Sequence, residues 1–264
     1  MISKNQIKFI KSLELKKNRK REGLFVAEGP KVVGDLLRAG FQPHSIFATE
    51  EYAKLGVKYN YQHTQPVSEE ELRKLSFLQH PQGVLGVFQI PSPLDPPSLR
   101  EGTEVGSPFR ETSEVGSTLS LALDGVQDPG NVGTIIRIAD WFGIDTIYCS
   151  PDTADVYSPK VVQATMGSLA HVKIIYSDLV EVLSKADCPI YGTLLDGEDI
   201  YQQELSQEGI IVMGNEGNGI SPEVRPLITH RLLIPNFHEN SETAESLNVA
   251  IATAITCSEF KRRF

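Results

Sequence analysis

Three short segments of this chain concentrate residue types that bind anions, orient hydroxyl groups and let a ligand reach the backbone. The first runs Asp124-Gly-Val-Gln-Asp-Pro-Gly-Asn131-Val-Gly133-Thr-Ile-Ile-Arg137. Its glycines and proline force a tight loop, and a helix is expected to begin near Asn131. A helix N-terminus beside glycine amides favours an anionic or polar ligand. Arg137, within the first two turns, can hold a phosphate through its guanidinium fork. The same residues also suit a Gly-rich β–α turn followed by a surface arginine. The second segment, Gly214-Asn215-Glu216-Gly217-Asn218-Gly219, reads G-x-x-G-x-G and lacks the spacing of a dinucleotide fingerprint. Its bare glycines admit close approach to the backbone. Glu216 there is either a turn-stabilising carboxylate or a site residue. The third runs from Ile234-Pro235-Asn236 through a polar loop to Ser246-Leu247-Asn248, where a helix with a small apolar face opens. Capping accounts for Ser246. It accounts less well for Asn248, whose side chain is expected just inside the helix.

Something must bring these segments together. From residue 119 onward, short apolar runs (Leu119–Leu123, Thr146–Cys149, Val172–Ile175, Ile190–Leu194, Ile210–Met213, Leu232–Ile234) alternate with helical stretches near 132–142, 159–168, 178–186, 221–227 and 246–262. That alternation predicts βαβ units and a mainly parallel sheet. Ligands of such sheets bind beyond the carboxyl ends of the strands. All three segments follow strands, so they are expected at one end of the sheet.

Ahead of this region, Ile7, Phe9, Ile10 and Leu13 mark an amphipathic helix and Leu24–Ala27 a buried strand. Val32, Val33, Leu36 and Leu37 form a helical face, Ser68-Glu69-Glu70-Glu71 a capping box, and Val84–Gln89 a closing strand. Between the two regions, 91–118 holds five prolines and an imperfect ten-residue repeat, REGTEVGS then RETSEVGS. Such a composition buries too little surface to fold. The expected organisation is a small α/β domain over 1–90, a flexible linker over 91–118 and a second domain over 119–264.

Charge separates the two domains. Residues 1–31 carry nine Lys or Arg against three acids, a net of +6, which leaves −15 for the rest of a chain whose total is −9. Globally acidic proteins do not cling to nucleic acid, but a local basic stretch can supply phosphate contacts. Lys16, Lys17, Arg19, Lys20 and Arg21 are the candidates; a solvated basic helix is the alternative. No run of about 18 apolar residues predicts a transmembrane helix. The N-terminus lacks a signal-peptide core, so a cytoplasmic location is expected. Cys149, Cys188 and Cys257 are too few and too widely spaced for a disulfide framework or a metal site.

Taken in order, DPGNVGTIIR, MGNEGNGIS and LLIP…ESLNVAIATAI resemble the SpoU (TrmH) family of RNA ribose 2′-O-methyltransferases over residues 119–260. VYSPKVVQATMGSL also resembles the family's intervening segment, and FVAEGPKVVGDLL its N-terminal substrate-binding domain. The resemblance implies an α/β fold in which a knotted (trefoil) C-terminal domain with flanking helices follows a small RNA-binding domain. Such a knot is an exception to the usual rule. It further implies S-adenosylmethionine as methyl donor, structured RNA (rRNA ahead of tRNA) as substrate, and a homodimer formed through the C-terminal domain. Carried onto this sequence, Gly214, Ile234 and Leu247 are the cofactor contacts, and Asn131, Arg137, Glu216, Ser246 and Asn248 the polar site residues. The third motif departs from the family: Asn236 stands in place of Met, the loop glycine is missing, and the loop is about four residues longer. The family's base is often taken to be this arginine, yet an arginine resists deprotonation. The rival expectation is a noncatalytic RNA-binding protein of the same fold.

Overall fold

The structure, a computed structural model, describes residues 2–56, 64–91, 118–238 and 246–264. The expected linker, apart from its two end residues, and residues 239–245 of the lengthened loop lie outside the described residues. Contacts group the chain into two units: Met1–Ser107 with Asp155–Ala170, and Pro108–Ala154 with His171–Phe264.

The first unit contains α1 (Lys4–Ser12), α2 (Lys16–Glu22), β1 (Leu24–Glu28), α3 (Pro30–Arg38), β2 (Pro43–Ala48), α4 (Glu50–Gly56), β3 (Thr64–Pro66), α5 (Glu69–Leu75) and β4 (Val84–Gln89). Its sheet has the order β1-β4-β2-β3, antiparallel except for the β2–β3 pairing. Every residue of β1 is buried, which is why it reads as an unbroken apolar run. Leu24 and Val26 join a core with Ile10, Leu13, Leu72 and Leu75 of the α1–α5 layer. Phe25 meets Phe41, Phe88 and Tyr157. The capping box foreseen at Ser68 is present: its hydroxyl accepts from the Glu71 amide, and the Glu71 carboxylate accepts from the Ser68 amide. β2 and β3 have no counterpart in the sequence reading, because their half-exposed, polar starts break the apolar pattern.

The second unit runs β5 (Leu119–Asp124), α6 (Pro129–Trp141) and β6 (Thr146–Cys149). The chain then passes through Asp155–Ala170, which carries α7 (Pro159–Thr165). It resumes as β7 (Lys173–Tyr176), α8 (Leu179–Ser184), β8 (Ile190–Asp199), β9 (Gly209–Gly214), β10 (His230–Leu233) and α9 (Val249–Lys261). The six strands take the order β10-β8-β9-β5-β6-β7 and are parallel at every pairing, as the sequence predicts. From the edge strand β10 the chain returns to lay α9 against α6 and β9, near the middle of the sheet. This is the mostly parallel fold that the resemblance implies.

Three local expectations are corrected. Helix α6 starts at Pro129, two residues before Asn131, because the Asp128 carboxylate accepts from the Asn131 amide and caps it there. The helix expected over 221–227 is only a 3-10 turn, Arg225–Leu227, since Pro226 lacks the amide that a longer helix would need. Helix α9 starts at Val249, so Asn248 is its cap rather than an interior residue, and Ser246 lies outside it.

Residues 155–170 fall within the second domain expected from sequence, yet they group with the first unit, for a visible reason. Helix α7 packs on β1, and Asp155 forms a pair with Arg19 of α2, with Nη2–Oδ2 at 2.5 Å and Nε–Oδ2 at 3.2 Å. Arg19 also donates to the Leu13 and Glu14 carbonyls, and its side chain is 3% exposed. Arg19 is therefore removed from the RNA-contacting set: its guanidinium is spent inside the unit. Removing one partner of such a pair strands a charge, so Arg19→Met is expected to destabilise the first unit by about 3 kcal/mol. Lys17→Gln, at an exposed neighbour, should cost less than about 0.5 kcal/mol. Urea denaturation of the two variants side by side checks the contrast.

Candidate active site

The residues at the carboxyl end of β5 are fixed one after another. The Asp124 carboxylate accepts from the Ser221 amide at 2.7 Å. The Gly125 amide donates to the Ser150 hydroxyl at 2.9 Å, and its carbonyl accepts from the Asn215 side chain at 2.7 Å. The Val126 carbonyl accepts from the Ala154 amide, and the amides of Gln127 and Asp128 both donate to the Glu216 carboxylate at 3.2 Å. The loop after β9 is equally constrained. Asn215 and Gly219 form an antiparallel bridge, and the Asn215 side-chain oxygen accepts from the amides of Gly217 and Asn218. Gly214 is required there, because a Cβ would lie 2.3 Å from the Gly219 carbonyl carbon.

The three segments meet in one polar chain. The Asn248 side-chain amide donates to Asn131 Oδ1 at 2.9 Å, and Asn131 Nδ2 donates to Glu216 Oε1 at 3.0 Å. At one end stands a carboxylate, which can only accept. At the other, Asn248 Oδ1 accepts from the Ala250 and Ile251 amides at the start of α9, which can only donate. Both asparagine orientations are thereby forced. Residues 117 and 85 positions apart in sequence are fixed relative to one another, at the N-termini of two packed helices.

Burial works to raise the Glu216 carboxyl, but hydrogen bonds from Asn131, its own backbone and the Gln127 and Asp128 amides outweigh it and hold the group below the usual carboxylate range. Glu216 is thus an anion at neutral pH with its lone pairs engaged. That choice between the two sequence readings favours the loop-organising one.

Arg137 is exposed on α6 and makes no hydrogen bond or ion pair among the described residues. Ser246 is exposed and also lies outside the polar chain among the described residues. Gly214 ends β9, Ile234 follows β10, and Leu247 precedes the α9 cap. Leu247 and Ile251, on either side of the α9 start, stand 50% and 53% exposed. A side chain added at Gly219 would point into open space. Exposed apolar side chains at the start of α9, together with bare backbone in the loop after β9, fit a cofactor with an aromatic base and a polar tail. Sequence reasoning missed Asp124, Ser150 and Asn215 as loop-fixing residues; Asp124 and Asn215 carried a signal, lying within or next to the motifs, whereas Ser150 carried none.

Of the basic set, Lys16, Lys17, Lys20 and Arg21 are exposed on α2, with Arg21 paired to Glu22. Among the described residues no cluster of His, Cys, Asp and Glu could hold a metal ion, and no helix is long and apolar enough to cross a membrane.

A family model described as the SpoU rRNA Methylase family matches residues 118–258, and one described as an MRM3-like substrate binding domain matches residues 4–86. A 23S rRNA (guanosine(2553)-2′-O)-methyltransferase of Bacillus subtilis (strain 168) is 29% identical over 259 residues, 96% of this chain and 95% of that protein. A solved structure of the TrmH family from Porphyromonas gingivalis superposes with a TM-score of 0.83 at 41% identity, covering 100% of both chains. An AdoMet-bound rRNA methyltransferase from Sinorhizobium meliloti gives 0.81 at 30% identity, covering 100% of this chain and 97% of its own.

Proposed function

The chain belongs to the SpoU rRNA methylase family, and from that membership we propose that it methylates a ribose 2′-hydroxyl of structured RNA, rRNA ahead of tRNA, with S-adenosylmethionine as donor. One observation carries the reading: the Asn248–Asn131–Glu216 chain, which ties the three motif segments into a single rigid site. Full-length similarity to a 23S rRNA 2′-O-methyltransferase supports the substrate class, and similarity to the AdoMet-bound structure supports the donor.

S-adenosylmethionine, when bound, supplies an electrophilic methyl group on a sulfonium. Gly214, Ile234 and Leu247 are the residues proposed to hold it, mainly through the backbone of the loops after β9 and β10. Asn131 keeps one side-chain N–H and one oxygen lone pair beyond the bonds described, enough to orient a ribose hydroxyl. Arg137, unpaired among the described residues, is the group available to a phosphate or ribose oxygen. Glu216 is the positioning anion and not the general base, because a base is most effective with a pKa near the working pH. Positioning of this kind is worth several kcal/mol of barrier.

The working form is proposed to be a cytoplasmic homodimer joined through the second unit. Trp141 at the end of α6 is 85% exposed, apolar surface that a partner copy would cover. Sedimentation of the purified chain would show a single species of twice the monomer mass; a monomer at micromolar concentration would refute the dimer.

The depressed Glu216 carboxyl makes the protein's stability depend on pH. A carboxylate lowered in the folded state contributes stability above its unfolded value and loses it as pH falls through the folded one. Wild type should therefore exceed Glu216→Gln in melting temperature by a constant margin down to about pH 5, with the margin shrinking below that. Thermal melts of both proteins across the range test it.

Mapping 2′-O-methylation in RNA from cells with and without the protein tests the function itself. Loss of one methylated ribose in rRNA is the expected outcome, and an unchanged map would reject the assignment.

A further inference from the structure

The first unit carries a patch of exposed lysines at one end of its sheet and a groove lined by carboxylates toward the other. At the β1 edge lie α2, with exposed Lys16, Lys17 and Lys20, and α7, whose second residue Lys160 is also exposed. None of these four lysines makes a hydrogen bond or ion pair among the described residues. Toward the β3 edge, a groove is lined by Glu50, Glu51, Glu69 and Glu71.

Helix α7 is not loosely appended to the basic edge. Asp155 takes the Arg19 guanidinium of α2 and also accepts from the Tyr157 amide at 3.0 Å, while its carbonyl accepts from the Ser158 amide at 2.9 Å. Ser158 then caps α7 by accepting from the Val161 amide. At the other end, the Lys31 ammonium of α3 donates to the Met166 carbonyl at 2.7 Å and to Asp35 at 2.8 Å. Between these anchors the Tyr157 ring lies 5.0 Å from that of Phe25 in β1. Asp155 is neutralised by its pair, so the acid nearest Lys160 in sequence does not cancel the lysine's charge.

We propose that RNA phosphates cross the first unit along its β1 edge, over Lys16, Lys17 and Lys20 of α2 and Lys160 of α7, with the acidic β3 edge turned away. The inference rests on the RNA reading above and deepens it. Residues 155–170 thereby become part of the RNA-binding surface, although they lie in sequence between two strands of the methyltransferase sheet. Arg19 contributes only by holding α2 and α7 together.

The test uses the full chain and a transcript of bacterial 23S rRNA, with affinity measured against KCl concentration. Each phosphate contact contributes roughly 0.7–0.9 to the slope of log affinity against log salt. Lys160→Gln should lower that slope by about one, and the triple change Lys16→Gln, Lys17→Gln, Lys20→Gln by about two to three. Glu50→Gln with Glu51→Gln should bind RNA at least as well as wild type. S-adenosylmethionine affinity, read by calorimetry on every variant, should stay at the wild-type value. An unchanged slope for Lys160→Gln, or equal losses from the acidic-edge variant, would overturn the proposed path while leaving the RNA reading intact. Wild type that binds the transcript without salt dependence would remove the RNA reading itself, and the path with it.

Discussion

Arg137→Ala is expected to reduce single-turnover methyl transfer by about 10³-fold, the scale of losing one preorganised electrostatic contact to reacting groups. S-adenosylmethionine affinity should stay within a few-fold of wild type. The reason is placement: Arg137 stands exposed on α6, while the proposed cofactor contacts Gly214, Ile234 and Leu247 follow β9 and β10 or precede α9. Arg137→Lys separates two roles. A point charge toward a phosphate would recover part of the rate, whereas a bidentate fork would not, because lysine cannot present two parallel donors. Loss of cofactor binding in Arg137→Ala with the fold intact would reassign the residue to the donor side.

Asn131→Asp should be nearly as damaging, for a different reason. It replaces the amide that donates to Glu216 Oε1 at 3.0 Å with a second carboxylate facing the first. Two like charges at that separation repel, and the side-chain link from Asn131 to Glu216 is lost, leaving the backbone amides of Gln127 and Asp128 to hold the carboxylate. A misplacement of about 1 Å at such a site costs on the order of 10²-fold in rate. Adding Glu216→Gln to Asn131→Asp restores that donor–acceptor pair with its direction reversed, while the Asp128 amide, which shares Oε1, loses its acceptor. The double variant should therefore recover part of the rate even though Glu216→Gln alone also loses activity. Strictly additive losses would show that the two side chains act independently. A cycle of four proteins, assayed in single turnovers with cofactor affinity measured alongside, decides between these outcomes.

Much of this site is legible in the sequence. Each motif segment follows a strand, and β9 and β5 pair as parallel neighbours over six residues each, which brings Gly214 and Asp124 level at the sheet's end. Apolar periodicity reports strands of this kind well, since they are buried on both faces. What sequence could not reveal depends on contacts between distant residues. Arg19 looks like any member of a basic run until Asp155, 136 residues away, is seen to bury it. Asn248 reads as an interior helical residue because helix starts shift by one or two positions with cap geometry, and its side chain proves to cap α9 and reach Asn131 at once. The sequence of its loop alone leaves Glu216 between two roles. Donors from Asn131, Gln127, Asp128 and its own backbone converge on the carboxylate, which favours the organising role. In β8, the pairing with β10 jumps from Gly192 to Glu198, an irregularity that no two-residue periodicity encodes.

The reaction of the family is methyl transfer to a ribose oxygen, and the polar chain is proposed to serve it. The most direct measurement incubates the purified protein with S-adenosylmethionine labelled in the methyl group and deproteinised rRNA, then hydrolyses the RNA in alkali. A 2′-O-methyl group blocks the neighbouring phosphodiester from alkaline cleavage, so label is expected in alkali-resistant dinucleotides and absent with Arg137→Ala. Label recovered in mononucleotides, as base methylation would give, or no label despite intact cofactor binding, would contradict it.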